Sequence, residues 1–170
     1  MMLKIIGALL IVTGCGSVGF SMAAAYRREE AALQQLISAL DYMGCELQYR
    51  LTPLPELCRS AAKGISGPVS DVLHNLAREL ESQIAPDAAT CMHAALSATK
   101  KLPGKVKENL RQLGVSLGRF DLHGQLSGLE TIRSQCRREL DMLSEDRSQR
   151  LRSYQTLGLC VGSALAILFL

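Results

Sequence analysis

The 170-residue chain has no tryptophan, three phenylalanines, four tyrosines, three histidines and five prolines. Aromatic residues make up 4% of it while hydrophobic residues reach 48%, so small aliphatic side chains supply the apolar surface. That balance fits helix-on-helix packing or membrane segments. A strong charge of either sign is missing too: 19 basic and 16 acidic side chains leave a net charge of +3. With no basic run interleaved with aromatics, a nucleic-acid footprint is excluded. Paired cysteines are absent. Cys15, Cys45, Cys58, Cys91, Cys136 and Cys160 stand singly, whereas a zinc site or dithiol motif needs close pairs. Isolated thiols suit a reducing compartment.

Catalytic signatures are missing as well. There is no HExxH, GxSxG, Walker A or glycine-rich phosphate loop. The histidines are His74, His93 and His123. Cys91 and His93 lie two apart on an expected helix and point to nearly opposite sides, as Asp121 and His123 would. Glu29-Glu30 and the Glu79/Glu81 pair read as solvated helix faces. The expectation is a non-enzyme with no catalytic residue, cofactor or metal.

What the chain does have is two uncharged apolar runs. After Lys4 no charge occurs until Arg27, which makes 3–25 long enough to cross a hydrocarbon core as a helix of about 20 residues. Val12-Thr13-Gly14-Cys15 also looks like a lipobox, which would make the segment a cleaved signal with Cys15 lipidated. Apolarity continuing through Val18, Phe20, Met22 and Ala23-Ala24-Ala25 favours a retained span. A second run, 153–170, is uncharged and is also read as a transmembrane helix. In it Gly158, Gly162 and Ala166 form a small-residue stripe that lets helices approach in lipid; glycine is also simply common in such helices, and both readings stand. Arg27 and Arg28 follow the first run, and Arg147, Arg150 and Arg152 precede the second. The positive-inside rule then puts 26–152 in the cytoplasm and both termini outside.

Between the runs the pattern is helical. Leu33, Leu36, Ile37, Leu40, Met43 and Leu47 recur at helix spacing and continue the first span as one rod. "RLTPLPEL" ends it, with Thr52 expected as N-cap and Pro53 in the first turn of a helix over 54–63. Pro68 opens a helix carrying Val69, Val72, Leu73, Leu76 and Leu80, and an alanine-rich helix follows over about 87–100. After Leu102-Pro103-Gly104, Val106, Leu110, Leu113 and Leu117 sit a turn apart. From Leu122 the longest seam runs through Leu126, Leu129, Ile132, Cys136, Leu140, Leu143, Leu151 and Tyr154 toward the second span. The fold class is therefore all-α: a cytosolic bundle of about six helices between two transmembrane helices.

One cluster, "LGVSLGRFDLHGQLSGLE", gathers glycines, Asp121, His123 and Gln125 and could be a site or a turn. The turn explains more of it. Gly114 would remove a side chain where another helix passes. Gly118 would take a left-handed conformation at a helix end, Asp121 would cap the last helix, and Phe120 would pin the turn. His123 is incidental, and Arg137, Arg138 and Glu139 further on read as solvated.

Two motifs resemble signatures of the stage III sporulation protein AB (SpoIIIAB) family. Glu46, Tyr49, Thr52, Pro53 and Leu54 match E-x-x-Y-x-x-T-P-L. Leu113, Gly114, Leu117, Gly118, Asp121 and Gln125 match LG-x-x-LG-x-x-D-x-x-x-Q. The start, Met-Leu-Lys-Ile-Ile-Gly after an extra Met1, and the two terminal spans fit the same family, so the resemblance covers essentially the whole chain. It implies a subunit of the secretion-like assembly in the mother-cell membrane around the forespore, similar to the GspF-type platform protein of type II secretion and type IV pili. The implied partners are the sporulation ATPase SpoIIIAA and neighbouring membrane subunits, with self-association left open. A membrane-anchored helical adaptor or assembly factor acting without an ATPase is the alternative.

Overall fold

The computed structural model describes residues 2–50, 52–83, 85–118 and 121–144, with side chains from residue 24 onward. Among these residues the regular structure is entirely helical. Five helices are α1 (Met2–Tyr49), α2 (Leu54–Lys63), α3 (Pro68–Ser82), α4 (Ala88–Ala98) and α5 (Gly104–Ser116). A sixth, α6, covers residues 122–144.

α1 is one rod of 48 residues, about 72 Å at 1.5 Å per residue. Residues 3–25 form its first half, although the side chains before residue 24 lie outside the described residues. The run 153–170, with Gly158, Gly162 and Ala166, lies outside them altogether, as do Leu151 and Tyr154. Among the described residues no helix is long and apolar enough to cross a membrane.

From residue 32 onward α1 carries a stripe of Ala32, Leu33, Leu36, Ala39, Leu40, Met43 and Leu47, each at most 6% exposed. Spacings of three and four keep these side chains on one face. α2, α3 and α5 cover it, and α4 packs behind them on α3 and α5. α2 packs on α3, α3 on α4 and α4 on α5, while α1 runs against α2, α3 and α5. They bring Leu57 and Cys58, Val69, Val72, Leu73 and Leu76, Met92 and Leu96, and Val106, Leu110 and Leu113 into one core with α1 and with Leu129, Ile132 and Cys136 of α6.

Local chemistry sets the ends of the short helices. Pro68 is in the first turn of α3, where its missing N–H is not needed. Gly67 before it has φ +78°, a conformation that glycine adopts readily. Ser70 donates to the Ala62 carbonyl across 2.9 Å, tying α3 to α2 from within the core. Asp87 caps α4 by accepting from the Thr90 N–H at 2.8 Å. α4 stops at Ala98, two residues before the expected end. Thr99 is extended and its hydroxyl turns back to the Ala95 carbonyl at 3.2 Å, a local bond that competes with continued helix.

α5 and α6 form an antiparallel hairpin. Ser116 packs beside Gly128 near the turn, and further out Asn109 donates to Glu139 across 2.8 Å. Asn109 is fully buried, so this bond satisfies a donor that water cannot reach. Glu139, expected to be solvated, is half-buried instead. α6 is tied to α1 by the ion pair of Arg133 with Asp41.

The burial pattern separates packing residues from surface ones. Leu36→Ala is expected to destabilise the detergent-solubilised chain by about 2–5 kcal/mol in urea denaturation, as a cavity in a closed core does. Tyr49→Ala, at a position 79% exposed, should stay within about 0.5 kcal/mol.

Candidate functional site

The signature residues lie at two corners of the bundle. At the first, between α1 and α2, Glu46 sits one turn before the end of α1. The Thr52 hydroxyl donates to Glu46 Oε2 at 3.0 Å, and Arg50 stands 3.8 Å from the other carboxylate oxygen. Thr52 is thus not the N-cap that its position suggested. Pro53 occupies the cap with extended ψ 140° and no side-chain bond; its carbonyl accepts the Leu57 N–H at 2.9 Å. α2 begins at Leu54, which puts the cap position on Pro53 and leaves the Thr52 hydroxyl free to donate back to the preceding helix. Leu54 packs partly buried against the core. Tyr49 does the opposite and faces outward, with Cys45 and Tyr42 exposed one and two turns before it.

The second corner joins α5 to α6. Gly114 is buried, and a Cβ built on it would lie 2.5 Å from Met92 Cβ and 2.8 Å from Met92 Cγ. No side chain fits between α5 and α4 there. Gly118 has φ +79° just after α5 ends, the left-handed conformation in which a helix commonly terminates. Asp121 Oδ1 accepts the Gly124 N–H at 3.0 Å, and its carbonyl accepts the Gln125 N–H at 2.9 Å. Those two bonds make Asp121 the cap of α6. Gln125 itself is half-buried. Phe120 lies outside the described residues. His123 is exposed and makes no part of this geometry.

No group of three His, Cys, Asp or Glu side chains that could hold a metal occurs among the described residues. Burial pushes the thiols of Cys58 and Cys136 up to about 12. Cys91 is also raised, first by burial and then by Glu79 and Asp87. Such thiols stay protonated and unreactive near neutral pH. On the surface, the hydrogen bond from Arg111 lowers Glu108, an exposed pair of little energetic weight. Sequence reasoning missed Asn109 and its bond to Glu139. The signal available was an asparagine placed in register with Val106, Leu110 and Leu113.

A family model described as stage III sporulation protein AB matches residues 4–170. The chain belongs to that family. A member from Bacillus subtilis (strain 168), stage III sporulation protein AB, is 26% identical over 172 residues, covering 99% of this chain and all of the relative. A solved structure of stage III sporulation protein AB (SpoIIIAB) superposes with a TM-score of 0.63 at 22% identity, covering 72% of this chain and 98% of the other. That likeness supports the fold. For this family member, the two corners give its signature residues a mechanical meaning: one glycine for close approach, one for a turn, and two polar side chains that fix helix ends.

Corner geometry predicts stability effects. Gly114→Val forces α5 off α4 and should cost about 1–3 kcal/mol or more. Gly118→Val strains a left-handed residue by about 1–3 kcal/mol, and Asp121→Ala removes a cap worth about 1 kcal/mol. Each should lower Tm, and a Tm unmoved by all three would count against the architectural reading.

Proposed function

We propose that this SpoIIIAB-family chain is a non-catalytic platform subunit that couples an ATPase to the membrane part of a sporulation complex. The observation that supports it best is the 48-residue α1. Its second half is the spine of the helical core, while its first half carries the apolar run beginning at residue 3. A force applied to the short helices would pass along this rod, because α2, α3 and α5 all pack on it. α6 offers a second connection, held to α1 by Arg133–Asp41 and to α5 by Asn109–Glu139.

On this reading the runs 3–25 and 153–170 anchor the chain in the mother-cell membrane around the forespore, and residues 26–152 face the cytoplasm. The partners are the sporulation ATPase SpoIIIAA and other membrane subunits, and the arrangement is similar to the GspF-type platform. The exposed stripe of Tyr42, Cys45 and Tyr49 on α1 is a surface such a partner could cover, since aromatic anchors suit interface centres.

The full chain in neutral detergent should capture the ATPase and change its turnover. Capture of other membrane subunits with no ATPase would favour the adaptor reading instead. Topology has its own test. Among Cys45, Cys58, Cys91 and Cys136 only Cys45 is exposed, so only it reports sidedness; buried thiols are missed whichever side they occupy. With Cys15 and Cys160 replaced by serine, an impermeant maleimide should leave Cys45 unlabelled in intact cells and label it once the membrane is opened. Labelling in intact cells would reverse the orientation.

A further inference from the structure

A groove of 910 Å³ runs along the outer side of α3, bounded by α2 and by the connection between α4 and α5. Asp71, His74, Asn75 and Arg78 line its floor, at the spacing that places residues on one face of a helix. The opposite face of α3, with Val72, Leu73 and Leu76, is buried in the core. Lys100 and Lys101 rise from the α4–α5 connection on one side and Arg59 from α2 on the other.

The charges in this groove are unevenly matched. Arg59 is held by Glu81. Arg78, Lys100 and Lys101 make no ion pair among the described residues, though all three are exposed to the same depression. Single cations such as Lys63, Lys105 and Lys107 also lack an ion pair among the described residues; what sets the groove apart is that several cations line one depression. Asp71 lies in the first turn of α3, where a negative charge is already balanced by the helix end. Four basic side chains, Arg59, Arg78, Lys100 and Lys101, thus share this concave surface with two carboxylates, Asp71 and Glu81, and positive charge is in excess.

We propose that this groove is the docking site for an acidic segment of a partner protein, with Arg78, Lys100 and Lys101 receiving its carboxylates. A depression admits a protruding polypeptide, whereas the face of a bilayer would meet only its rim. The carboxylates of Asp71 and Glu81 within the lining also oppose a sheet of lipid phosphates, yet leave room for an acidic run set between them. From Asp71 to Arg78 the floor spans about 10 Å, the reach of about three residues of extended chain. The proposal is independent of whether the partner is the ATPase, and its test does not use that enzyme.

The test measures binding of a short fluorescein-labelled Glu/Ala peptide to the full chain in neutral detergent, with a Gln/Ala peptide as control. The Glu/Ala peptide should bind about tenfold tighter or more, in a salt-sensitive manner, because complementary charge governs the contact. Arg78→Glu, Lys100→Glu and Lys101→Glu together should weaken it about tenfold or more. Arg137→Glu with Arg138→Glu, on the exposed side of α6, should leave it unchanged. Glu81→Gln releases Arg59 into the groove and should tighten binding, a gain that misfolding cannot produce. Equal binding of both peptides, no loss in the triple variant, or an equal loss in the α6 variant would overturn the proposal. So would a triple variant that loses binding to phosphatidylglycerol vesicles while keeping the peptide.

Discussion

The apolar stripe of α1 from Ala32 to Leu47 is the constraint on which the remaining structure depends. Helices of 10 to 15 residues, the lengths of α2 through α5, are marginal alone because nucleating a helix is costly. They persist by covering that stripe and one another. α2 and α3 are amphipathic for this reason, α4 is alanine-rich on its exposed side too, and each helix packs on the next in chain order. Short connections keep consecutive helices adjacent, so the bundle is laid along one face of the rod while Tyr42, Cys45 and Tyr49 stay exposed on another.

Close packing then dictates the special residues. α5 approaches α4 so nearly that Gly114 cannot carry a side chain beside Met92. Having come that close, α5 must turn sharply to send α6 back along the bundle, and Gly118 with its positive φ and Asp121 with its cap make the turn. At the other corner Thr52 reaches back to Glu46 and fixes the angle at which α2 leaves α1. The residues at the two corners thus record two bends and one close approach. Residues whose types first suggest chemistry, such as Asp121 and His123, owe their places to backbone geometry or to the solvent surface.

Much of this was legible in the sequence because helical periodicity and breakers are local signals. The leucines of α1 at three- and four-residue spacing and the prolines at the starts of α2, α3 and α5 placed those elements closely. The left-handed glycine and the aspartate cap were also readable, since each follows from its neighbours in the chain. Three things were not. Thr52 and Glu46 are six residues apart and meet only because the chain bends between them, so the local capping rule gave the wrong partner. Asn109 and Glu139 are 30 residues apart, and nothing in either segment announces the other. The basic groove is assembled from α2, α3 and the α4–α5 connection, and its charge appears only when those segments are brought together.

The proposed coupling role depends on the same frame. A helical core that is one cooperative unit with the long α1 can pass a load from a bound partner to whatever holds the N-terminal half of the rod. If α1 merely lies against an independently stable bundle, the link fails. Native-state hydrogen exchange on the full chain distinguishes the two most directly. Amides of α1 between residues 32 and 47 should open together with those of α2 to α5, with one shared free energy equal to that of global unfolding. Exchange of this α1 segment through a separate, lower-energy opening while α2 to α5 stay protected would contradict the account.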